Sequence, residues 1–388
     1  MKTLSKIYDI SVRELQKITG DVNLLLVLII APLLYPFLYG GIYYLKVEKD
    51  VPVVVVDNDN SEYSRAIIKL FDAIQSIKII KQKFDKKEIE DMLVSGEIHS
   101  MIEIPKDFSK SLIKGKQTEI YMTLNSGRLL VLSDIAIPVS QNVAVMGAKV
   151  TGKFLQNNDI PAVKNKELIQ PIGVSFQSPY NPFMTYGDMV LPGLVIMIFI
   201  QIIFIGVAAA TAKECEAKNW GSLLKMSKSN TLLLFGRVFP YVLLFTAYWI
   251  FARFIMFSVF DIPFLAKDSQ FLIIYLLSII SISLAGSWVG TFLKYKIMPF
   301  VILGFTTYPI FMMSGYAWPS MQLPLLVKYI GYAIPHIPIL SSAFSMAQMG
   351  ADLTYIVPQI INSIILIIVF TILNLLRFKK IRKRYCPE

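Results

Sequence analysis

The chain carries little charge: 17% of its 388 residues are Asp, Glu, Lys or Arg, against roughly 25% in an ordinary soluble domain. A mean hydropathy of +0.57 and an apolar fraction of 55% leave too little polar surface to cover two or three soluble domains of this total length. The composition therefore excludes an ordinary soluble enzyme and makes a membrane protein the default class.

Cysteine and histidine are also scarce. Cys215 and Cys386 are the two cysteines, and His99 and His336 are the two histidines. This scarcity excludes a disulfide framework and a multi-thiolate metal site, and no second His or Cys stands at metal-ligand spacing. We expect both histidines to be structural or solvated.

Two short motifs resemble ligand sites without completing them. GAKVTGKF at 147–154 matches a phosphate-binding loop except that Phe154 stands where a Ser or Thr would hold magnesium. DNDNSE at 57–62 begins like a calcium loop but lacks its later Gly and Glu, so we interpret it as a turn in which Ser61 or Asn60 caps the next helix. The sequence predicts no catalytic, cofactor or metal site in this chain.

Long apolar runs are what the sequence has in abundance. Crossing about 30 Å of hydrocarbon takes around 20 helical residues, and Pro32 and Pro36 are expected to kink the first such run. The six runs that qualify are Leu24 to Tyr44, Met189 to Thr211, Val238 to Phe260, Phe271 to Leu293, Ile297 to Trp318 and Ile356 to Leu376.

The polar stretch at 45–185 follows a different pattern. Val51 to Val56 is a β-branched run typical of a buried strand, and strands at 77–80, 98–104 and 119–124 alternate with helices at 62–73, 86–94 and 107–113. This alternation predicts an α/β domain. Residues 129–155 are interpreted as an amphipathic helix and not a seventh span, because their polar side chains would be costly at membrane depth. The predicted fold class is therefore an α-helical polytopic membrane protein with six transmembrane helices and an inserted extracytoplasmic α/β domain.

The distribution of positive charge predicts the orientation. With the N-terminus inside, the cytoplasmic segments hold 17 basic and six acidic residues, and their excess equals the net charge of +11. The basic residues of the two short outer loops are only Lys267 and Lys328. Positive residues favour the cytoplasmic side, so both termini are predicted inside, and no basic surface is left to suggest nucleic acid.

The predicted spans contain almost no charge. Arg253, near the outer end of the third span, is expected to extend its guanidinium to the interface, with a substrate contact as the alternative. Because no acidic residue is available to take up and release protons, energy for transport would come from a separate ATPase.

Two cytoplasmic elements suit such a partner. Residues 4–18 place apolar side chains on one helical face, as expected for a helix in the membrane interface; a plain basic anchor is the alternative. The loop after the second span carries Glu214 and Glu216, followed by Trp220, Leu223 and Leu224 at helical spacing. This loop is predicted either to dock into a soluble subunit or to pack under the bundle.

The chain resembles the permease subunits of type-2 ABC exporters, in the branch with a large extracytoplasmic domain after the first span. The resemblance is carried by the order of several segments along nearly the whole chain. They are VREL at 12–15, VPVVVVDNDNSEYSR at 51–65, SGEIHSMIEIPKDFSKSLIKG at 95–115, the AKECEAKNWGSLL loop, MSGYAWP with a following LP, and AIPHIP at 333–338.

The resemblance implies a half-transporter that pairs with a second permease, identical or similar, and with two cytoplasmic ATPase subunits that bind ATP and magnesium. It also allows a periplasmic adaptor and contact with membrane lipid. It assigns three groups of residues in this chain. These are the ATPase-coupling loop (Glu214, Glu216, Trp220, Gly221, Leu223, Leu224), the interfacial N-terminal helix (Arg13, Glu14, Leu15) and an outer re-entrant segment (Pro319, Pro324, Pro335, Pro338). Asn219 and Trp220 replace the more typical Gly-Thr of the loop.

The function predicted on these grounds is a non-enzymatic permease of the bacterial plasma membrane that moves a hydrophobic or amphiphilic substrate outward. The alternative is a membrane-anchored scaffold whose outer domain is the functional part, and a proton-coupled carrier is the third possibility. The predicted domains are an interfacial helix at 1–23, a first span at 24–44, the outer domain at 45–185, a five-helix bundle at 186–376 with a coupling loop at 212–236 and a re-entrant segment at 317–350, and a basic tail at 377–388.

Overall fold

A computed structural model describes residues 2–44, 49–80, 85–114, 118–124, 135–157 and 186–385. Its contacts divide the chain into two compact units, Met1–Tyr44 with Asp188–Glu388 and Leu45–Gly187. The first residues of the helix predicted at 129–155, and everything from 158 to 185, lie outside the described residues.

The helices in chain order are α1 (Lys2–Thr19), α2 (Val22–Ile42), α3 (Glu62–Asp72), α4 (Lys86–Ser95), α5 (Phe108–Ile113), α6 (Ile137–Asn157), α7 (Tyr186–Glu216), α8 (Trp220–Met226), α9 (Asn230–Val259), α10 (Asp268–Gly290), α11 (Met298–Met313), α12 (Leu325–Tyr332), α13 (Ile337–Ala343) and α14 (Val357–Tyr385). The strands are β1 (Val51–Asp57), β2 (Ile77–Ile80), β3 (Ser100–Ile104) and β4 (Tyr121–Leu124).

Among the described residues, five helices are long and apolar enough to cross a membrane: α2, α7, α9, α10 and the helix Leu353–Tyr385, which contains α14. They coincide with the first, second, third, fourth and sixth predicted spans. In α2 a π-helical turn at Leu26–Ile30 precedes Pro32, whose missing N–H frees the carbonyl of Leu28 within that turn. The chain is therefore a mostly helical, multi-pass membrane protein.

The predicted fifth span is the exception. The helix found there, α11, has only 16 residues, or about 24 Å at 1.5 Å per residue. It is interrupted between Gly304 and Thr307 because Pro309 cannot donate to the carbonyl of Phe305, four residues earlier. Next to this interruption, the side chain of Gln201 in α7 donates to the carbonyl of Leu303 at 2.7 Å. Hydropathy registers the composition of this run but not the break in its backbone.

Prolines inside two other long helices create docking points between helices. Pro240 in α9 leaves the carbonyl of Gly236 without its helical donor, and the hydroxyl of Ser11 in α1 donates to it at 2.9 Å. Pro192 in α7 likewise frees the carbonyl of Asp188, which accepts from the side chain of Gln348 at 2.9 Å. In each case a side chain from a distant segment satisfies the freed backbone group, as an apolar environment requires.

The second unit is built on a four-stranded sheet in the order β2-β1-β3-β4. The central strand β1 pairs in parallel with β2 and β3, and β4 adds an antiparallel edge. Helices cover both faces of this sheet. Val53, Ile67 and Phe71 belong to the larger core on one face, while Val54 and Ile89 belong to a smaller core on the other.

The turn after β1 has a structural role. The Asp57 carboxylate accepts from the backbone N–H groups of Asp59 and Asn60 at 3.0 Å, and Ser61 caps α3 through the N–H of Ser64. The prediction of a helix-capping turn at 57–62 is confirmed. The phosphate-loop-like residues 147–154 lie within α6.

Candidate functional site

The amphipathic helix α1 packs against α9 along a face that the sequence predicts to be polar. Glu14 is 0% exposed and Ile10 is also fully buried, whereas Leu4, Tyr8 and Leu15 of the predicted apolar face are exposed. Glu14, which the sequence places away from the apolar face of this helix, is fully buried, and its burial requires compensation by nearby cations.

Two cations and a hydroxyl compensate the buried carboxylate of Glu14. Lys17, one turn along α1, lies 2.9 Å from both carboxylate oxygens, and Nε of Arg237 in α9 donates to Oε1 at 3.0 Å. The hydroxyl of Tyr241 donates to Oε2 at 3.3 Å. Burial raises the pKa of Glu14, but Lys17 and Arg237 outweigh burial and hold that pKa below its usual value. Glu14 is therefore an ionised group locked into the helix interface.

A second buried carboxylate extends this cluster to the C-terminal end of α7. Glu214 is 2% exposed and receives a bidentate pair of hydrogen bonds from the guanidinium of Arg13, at 2.8 and 3.0 Å. Lys17 also forms an ion pair with Glu214. The charge of Glu214, one of the acids in the predicted coupling loop, is therefore paired with cations of α1.

We call Arg13, Glu14, Lys17, Glu214 and Arg237 the buried charge cluster. It contains three cations and two carboxylates, and it joins α1, α7 and α9. Removing one partner from such a cluster leaves a buried charge uncompensated, which typically costs about 3–5 kcal/mol. The three helices are therefore expected to move together.

Arg237 links the buried charge cluster to α8. Its Nη2 donates to the hydroxyl of Thr211 at 2.8 Å, and its guanidinium carbon lies 5.5 Å from the ring centre of Trp220 and 5.8 Å from that of Phe378. Trp220 also donates its indole N–H to the sulfur of Cys215 at 3.3 Å. Cation–π contacts of a buried Arg are worth up to about 2 kcal/mol, so α8 is attached firmly beneath the bundle.

The apolar residues of the predicted coupling loop all face the bundle. Trp220, Leu223 and Leu224 are at most 2% exposed, in one core with Leu233 and Phe378. Of the two alternatives for these three side chains, packing under the bundle describes the structure.

The opposite side of α8 is open. Lys218, Asn219, Ser222 and Lys225 are exposed, and an added Cβ at Gly221 would meet no atom within 4 Å. We call this exposed polar surface the outer face of α8.

The basic tail also holds α8 in place. Arg382 of α14 donates to the carbonyls of Leu224 at 3.2 Å and Ser227 at 2.8 Å, and to the side chain of Asn230. Cations near the C-terminus of a helix satisfy its last carbonyls and interact favourably with its dipole. At least one residue of the tail therefore has a structural role besides its contribution to orientation.

Asp21 forms a second ionic junction at the corner between α1 and α2. Its carboxylate lies 2.9 Å from Lys213 and 2.6 Å from Lys296, and it caps α2 through the N–H groups of Asn23 and Leu24. Burial opposes ionisation, but these donors and cations hold the pKa of Asp21 far below its ordinary value. The junction joins the start of the first span to the loops that follow the second and fourth.

Glu216, in the predicted coupling loop, also contacts Lys296 of this junction. Its side chain is exposed and accepts from the backbone N–H of Lys296 at 2.8 Å. Both predicted acids of the loop therefore have partners within the chain, although Glu216 still presents its other oxygen to solvent.

Five residues of these ionic networks are not predicted from the sequence: Lys17, Asp21, Thr211, Arg237 and Tyr241. Their partners stand more than 20 residues away in most cases, and a single sequence does not reveal such pairs. One local signal was available, because Lys17 follows Glu14 by three residues on the same helix, a spacing that brings opposite charges together.

The outer prolines lie where the chain changes direction. Pro319 precedes a short 3₁₀ turn, Pro324 immediately precedes α12, Pro335 lies between α12 and α13, and Pro338 is in the first turn of α13. Arg253 pairs with Asp268 at 2.7 Å at the start of α10. At this end of the helical unit, short broken helices replace a continuous span.

Several known proteins are similar to this chain in sequence. The sequence model of the family described as "ABC-2 family transporter protein" matches residues 23–376. Three similar proteins come from Escherichia coli (strain K12). "Probable multidrug ABC transporter permease YbhR" is 20% identical over 326 residues, covering 83% of this chain and 84% of the relative. "Probable multidrug ABC transporter permease YbhS" is 20% identical over 382 residues, with 97% of each chain covered, and "Inner membrane transport permease YhhJ" is 19% identical over 381 residues, with 98% of each covered.

The family match spans most of the chain, including five long apolar helices and the loop that carries α8. The ABC-2 family consists of permease subunits, and ABC transporters pair such subunits with ATPase subunits. The chain belongs to the ABC-2 family of transporter proteins.

Proposed function

We propose that this chain is the permease subunit of an ATP-driven exporter, with ATP and magnesium bound by separate ATPase subunits on the cytoplasmic side. The observation that carries the proposal is the attachment of α8. Its inner face is fixed to the bundle by Trp220, Arg237 and Arg382, while its outer face is polar and open. A partner that pushes on this face would move α8 together with α1, α7 and α9, because the buried charge cluster joins them.

The proposed orientation places the buried charge cluster at the cytoplasmic surface and unit Leu45–Gly187 outside the plasma membrane. The concentration of Lys and Arg in the segments around the cluster supports it. In this arrangement the charge cluster lies near anionic inner-leaflet lipid, and α12 and α13 form the outer re-entrant segment.

We propose a hydrophobic or amphiphilic substrate that moves outward. Two of the similar proteins carry names that describe multidrug permeases, and the bundle of this chain is apolar with its charged groups at its two ends. ATP binding by the partners would press on α8, tilt the cytoplasmic ends of α7 and α9, and open a path toward the outer side.

A second permease chain completes the proposed transporter. The short helix α11 exposes Val301, Phe305 and Tyr308, with Phe305 81% exposed. At about 24 Å it does not span the hydrocarbon as a straight helix, so we propose that it completes a sixth crossing together with the segment that follows, against an identical or similar copy. A periplasmic adaptor remains a further proposed partner of the outer unit.

The test targets the outer face of α8 with a variant that leaves its inner face intact. Gly221→Trp fills open space on α8, and Gly147→Trp is the matched control because a Cβ at Gly147 in α6 also meets no atom within 4 Å. With the ATPase subunit co-expressed, we expect Gly221→Trp to lower permease-stimulated ATPase activity and co-purified ATPase subunit at least tenfold, with an unchanged melting temperature. Gly147→Trp should leave both at the wild-type level.

An unchanged ATPase rate and unchanged co-purification for Gly221→Trp would contradict the assignment of α8 as the coupling element. If no ATPase subunit co-purified with the wild-type chain either, the scaffold alternative would replace the exporter.

A further inference from the structure

A polar cavity opens beneath the re-entrant segment at the end of the helical unit opposite the buried charge cluster. It has a volume of about 320 Å³ and lies between α12, α13 and the first turns of α14. Its polar lining residues are Ser314, Ser320, Lys328, Tyr332, Ser341, Gln359 and Asn362. The side-chain oxygen of Gln359 is buried and has no hydrogen-bond partner among the described residues.

Lys328 differs from the other basic residues at this end of the unit. Arg253 pairs with Asp268 at 2.7 Å and Lys267 pairs with Asp352 at 2.8 Å. Within the part of the chain that the structure describes, Lys328 forms no ion pair and no side-chain hydrogen bond, although it is half-buried in the cavity wall. An unpaired, partly buried ammonium group favours an anionic ligand.

An apolar groove of about 730 Å³ adjoins the polar cavity, and Tyr332, Pro358 and Asn362 line both. The groove continues along one face of α14 through Ile361, Ile365 and Val369. From Val357 to Val369 this face extends about 18 Å at 1.5 Å per residue, slightly more than half the hydrocarbon thickness of a bilayer. Its length suits one acyl chain of a single leaflet.

Two tyrosines stand at the junction of cavity and groove. Tyr329 and Tyr332 are 68% and 58% exposed, and their ring centroids are 6.4 Å apart. Tyrosine is enriched where hydrocarbon meets headgroups, so this position corresponds to the headgroup level of the membrane.

We propose that the cavity and groove bind one anionic phospholipid of the outer leaflet. Lys328 and the amide of Asn362 hold the phosphate, and an acyl chain lies against Ile361 and Ile365. The described lining residues of both cavities include no carboxylate, which favours a net negative headgroup over a zwitterionic one. The ammonium of Lys328 in the cavity, next to an apolar groove as long as one acyl chain, matches a lipid with an anionic headgroup better than the surface of a second permease copy. The site does not depend on ATP-driven export; only its assignment to the outer leaflet depends on the proposed orientation.

The experiment uses the full chain in nanodiscs of phosphatidylcholine that contain phosphatidylglycerol with a photoreactive group on its acyl chain. We expect labelling of peptides from the first half of α14. Lys328→Gln should reduce labelling about fivefold, the factor that corresponds to about 1 kcal/mol for one lysine near an anionic headgroup. Lys328→Arg should retain labelling, and the control Lys267→Gln should label like wild type.

A second variant tests the contact with the acyl chain of the lipid separately from the contact with its headgroup. Ile365→Trp fills the groove at a residue that is 51% exposed, and we expect it to reduce labelling while the melting temperature stays unchanged. Soluble glycerol 3-phosphate should not compete with the labelled lipid, whereas unlabelled phosphatidylglycerol should.

Three results would overturn the proposal. They are equal labelling of Lys328→Gln and wild type, equal labelling by photoreactive phosphatidylcholine, and disulfide cross-linking of two permease chains through Ile361→Cys in place of lipid labelling.

Discussion

At the scale of single residues, Glu14 combines complete burial with a negative charge. It is ionised, fully buried and surrounded by Lys17, Arg237 and the hydroxyl of Tyr241. Replacing such a buried pair with apolar residues can be harmless, but removing one partner is strongly destabilising because the other charge remains buried.

Glu14→Gln is therefore expected to lower the free energy of unfolding by about 3–5 kcal/mol. Denaturant titration of the purified protein in detergent micelles measures this loss. Asp9→Asn is the matched control, since Asp9 is exposed on the same helix and its replacement should change stability by less than about 0.5 kcal/mol. A loss for Glu14→Gln as small as that of the control would mean that Glu14 does not hold α1 to α9.

Asp21 gives the protein a defined response to acid. Its pKa is lower in the folded chain than in the unfolded one, where it is about 3.9. The unfolded state therefore binds the proton first, and the stability that Asp21 contributes is complete above that unfolded pKa and is lost as pH falls through the folded pKa.

We expect the melting temperature of Asp21→Asn to fall less steeply than that of the wild type as pH decreases from about 5 to about 3. The two curves should draw together toward the acidic end, because the unfolded wild-type chain takes up a proton at Asp21 there while the folded chain keeps the carboxylate ionised. Melting curves in detergent across this range provide the measurement. Parallel curves for the two proteins would contradict the role of the junction with Lys213 and Lys296.

At the scale of helices and strands, backbone carbonyls that lose their helical donor to a proline explain several contacts between distant elements. A proline inside a long helix leaves one carbonyl without a donor, and in lipid that group must be satisfied by another part of the protein. Ser11 donates a hydrogen bond to the carbonyl that Pro240 leaves free, and Gln348 donates to the one that Pro192 leaves free. The irregularities of the helices are thus points of attachment between segments distant in sequence.

A double-mutant cycle tests this explanation. Ser11→Ala should destabilise the protein by about 1–3 kcal/mol, the cost of leaving a buried carbonyl unsatisfied. In a Pro240→Ala background the alanine N–H can donate to Gly236, so the same Ser11→Ala change should cost clearly less. Equal costs in the two backgrounds, measured by denaturant titration, would show that the proline does not create the need for Ser11.

The elements that could be predicted from sequence are those with local signals. The strand Val51–Asp57 is predicted over Val51 to Val56 from its β-branched run, and the helix after it from apolar spacing and a cap at Ser61 or Asn60. The interruption of α11 was not predicted, because hydropathy measures composition and the effect of Pro309 lies in the backbone. The pairings of Glu14 with Arg237 and of Arg13 with Glu214 link residues more than 200 positions apart, a separation that local patterns do not encode.

At the scale of the whole molecule, the distribution of charge predicts which surfaces face the cytoplasm. Val94 in α4 is 88% exposed, and Lys225 on the outer face of α8 is also exposed. With Cys215 and Cys386 replaced by serine, single cysteines at these two positions report the side of the membrane on which each unit lies.

We expect Val94→Cys to react with a membrane-impermeant maleimide in intact spheroplasts and Lys225→Cys to react only after the membrane is opened. Labelling of Lys225→Cys in intact spheroplasts would reverse the proposed orientation. It would also place the buried charge cluster on the outer side, where no nucleotide supply exists for an ATPase.

The proposal of an ATP-driven exporter is tested most directly by transport in inside-out membrane vesicles that contain this chain and its ATPase subunit. Uptake of a fluorescent amphiphilic dye is followed after ATP is added outside, with and without an ionophore that collapses the proton gradient. The account predicts ATP-dependent uptake that persists without the gradient and disappears when the ATPase subunit is catalytically inactive. Uptake driven by a proton gradient in the absence of ATP and of the ATPase subunit would contradict it.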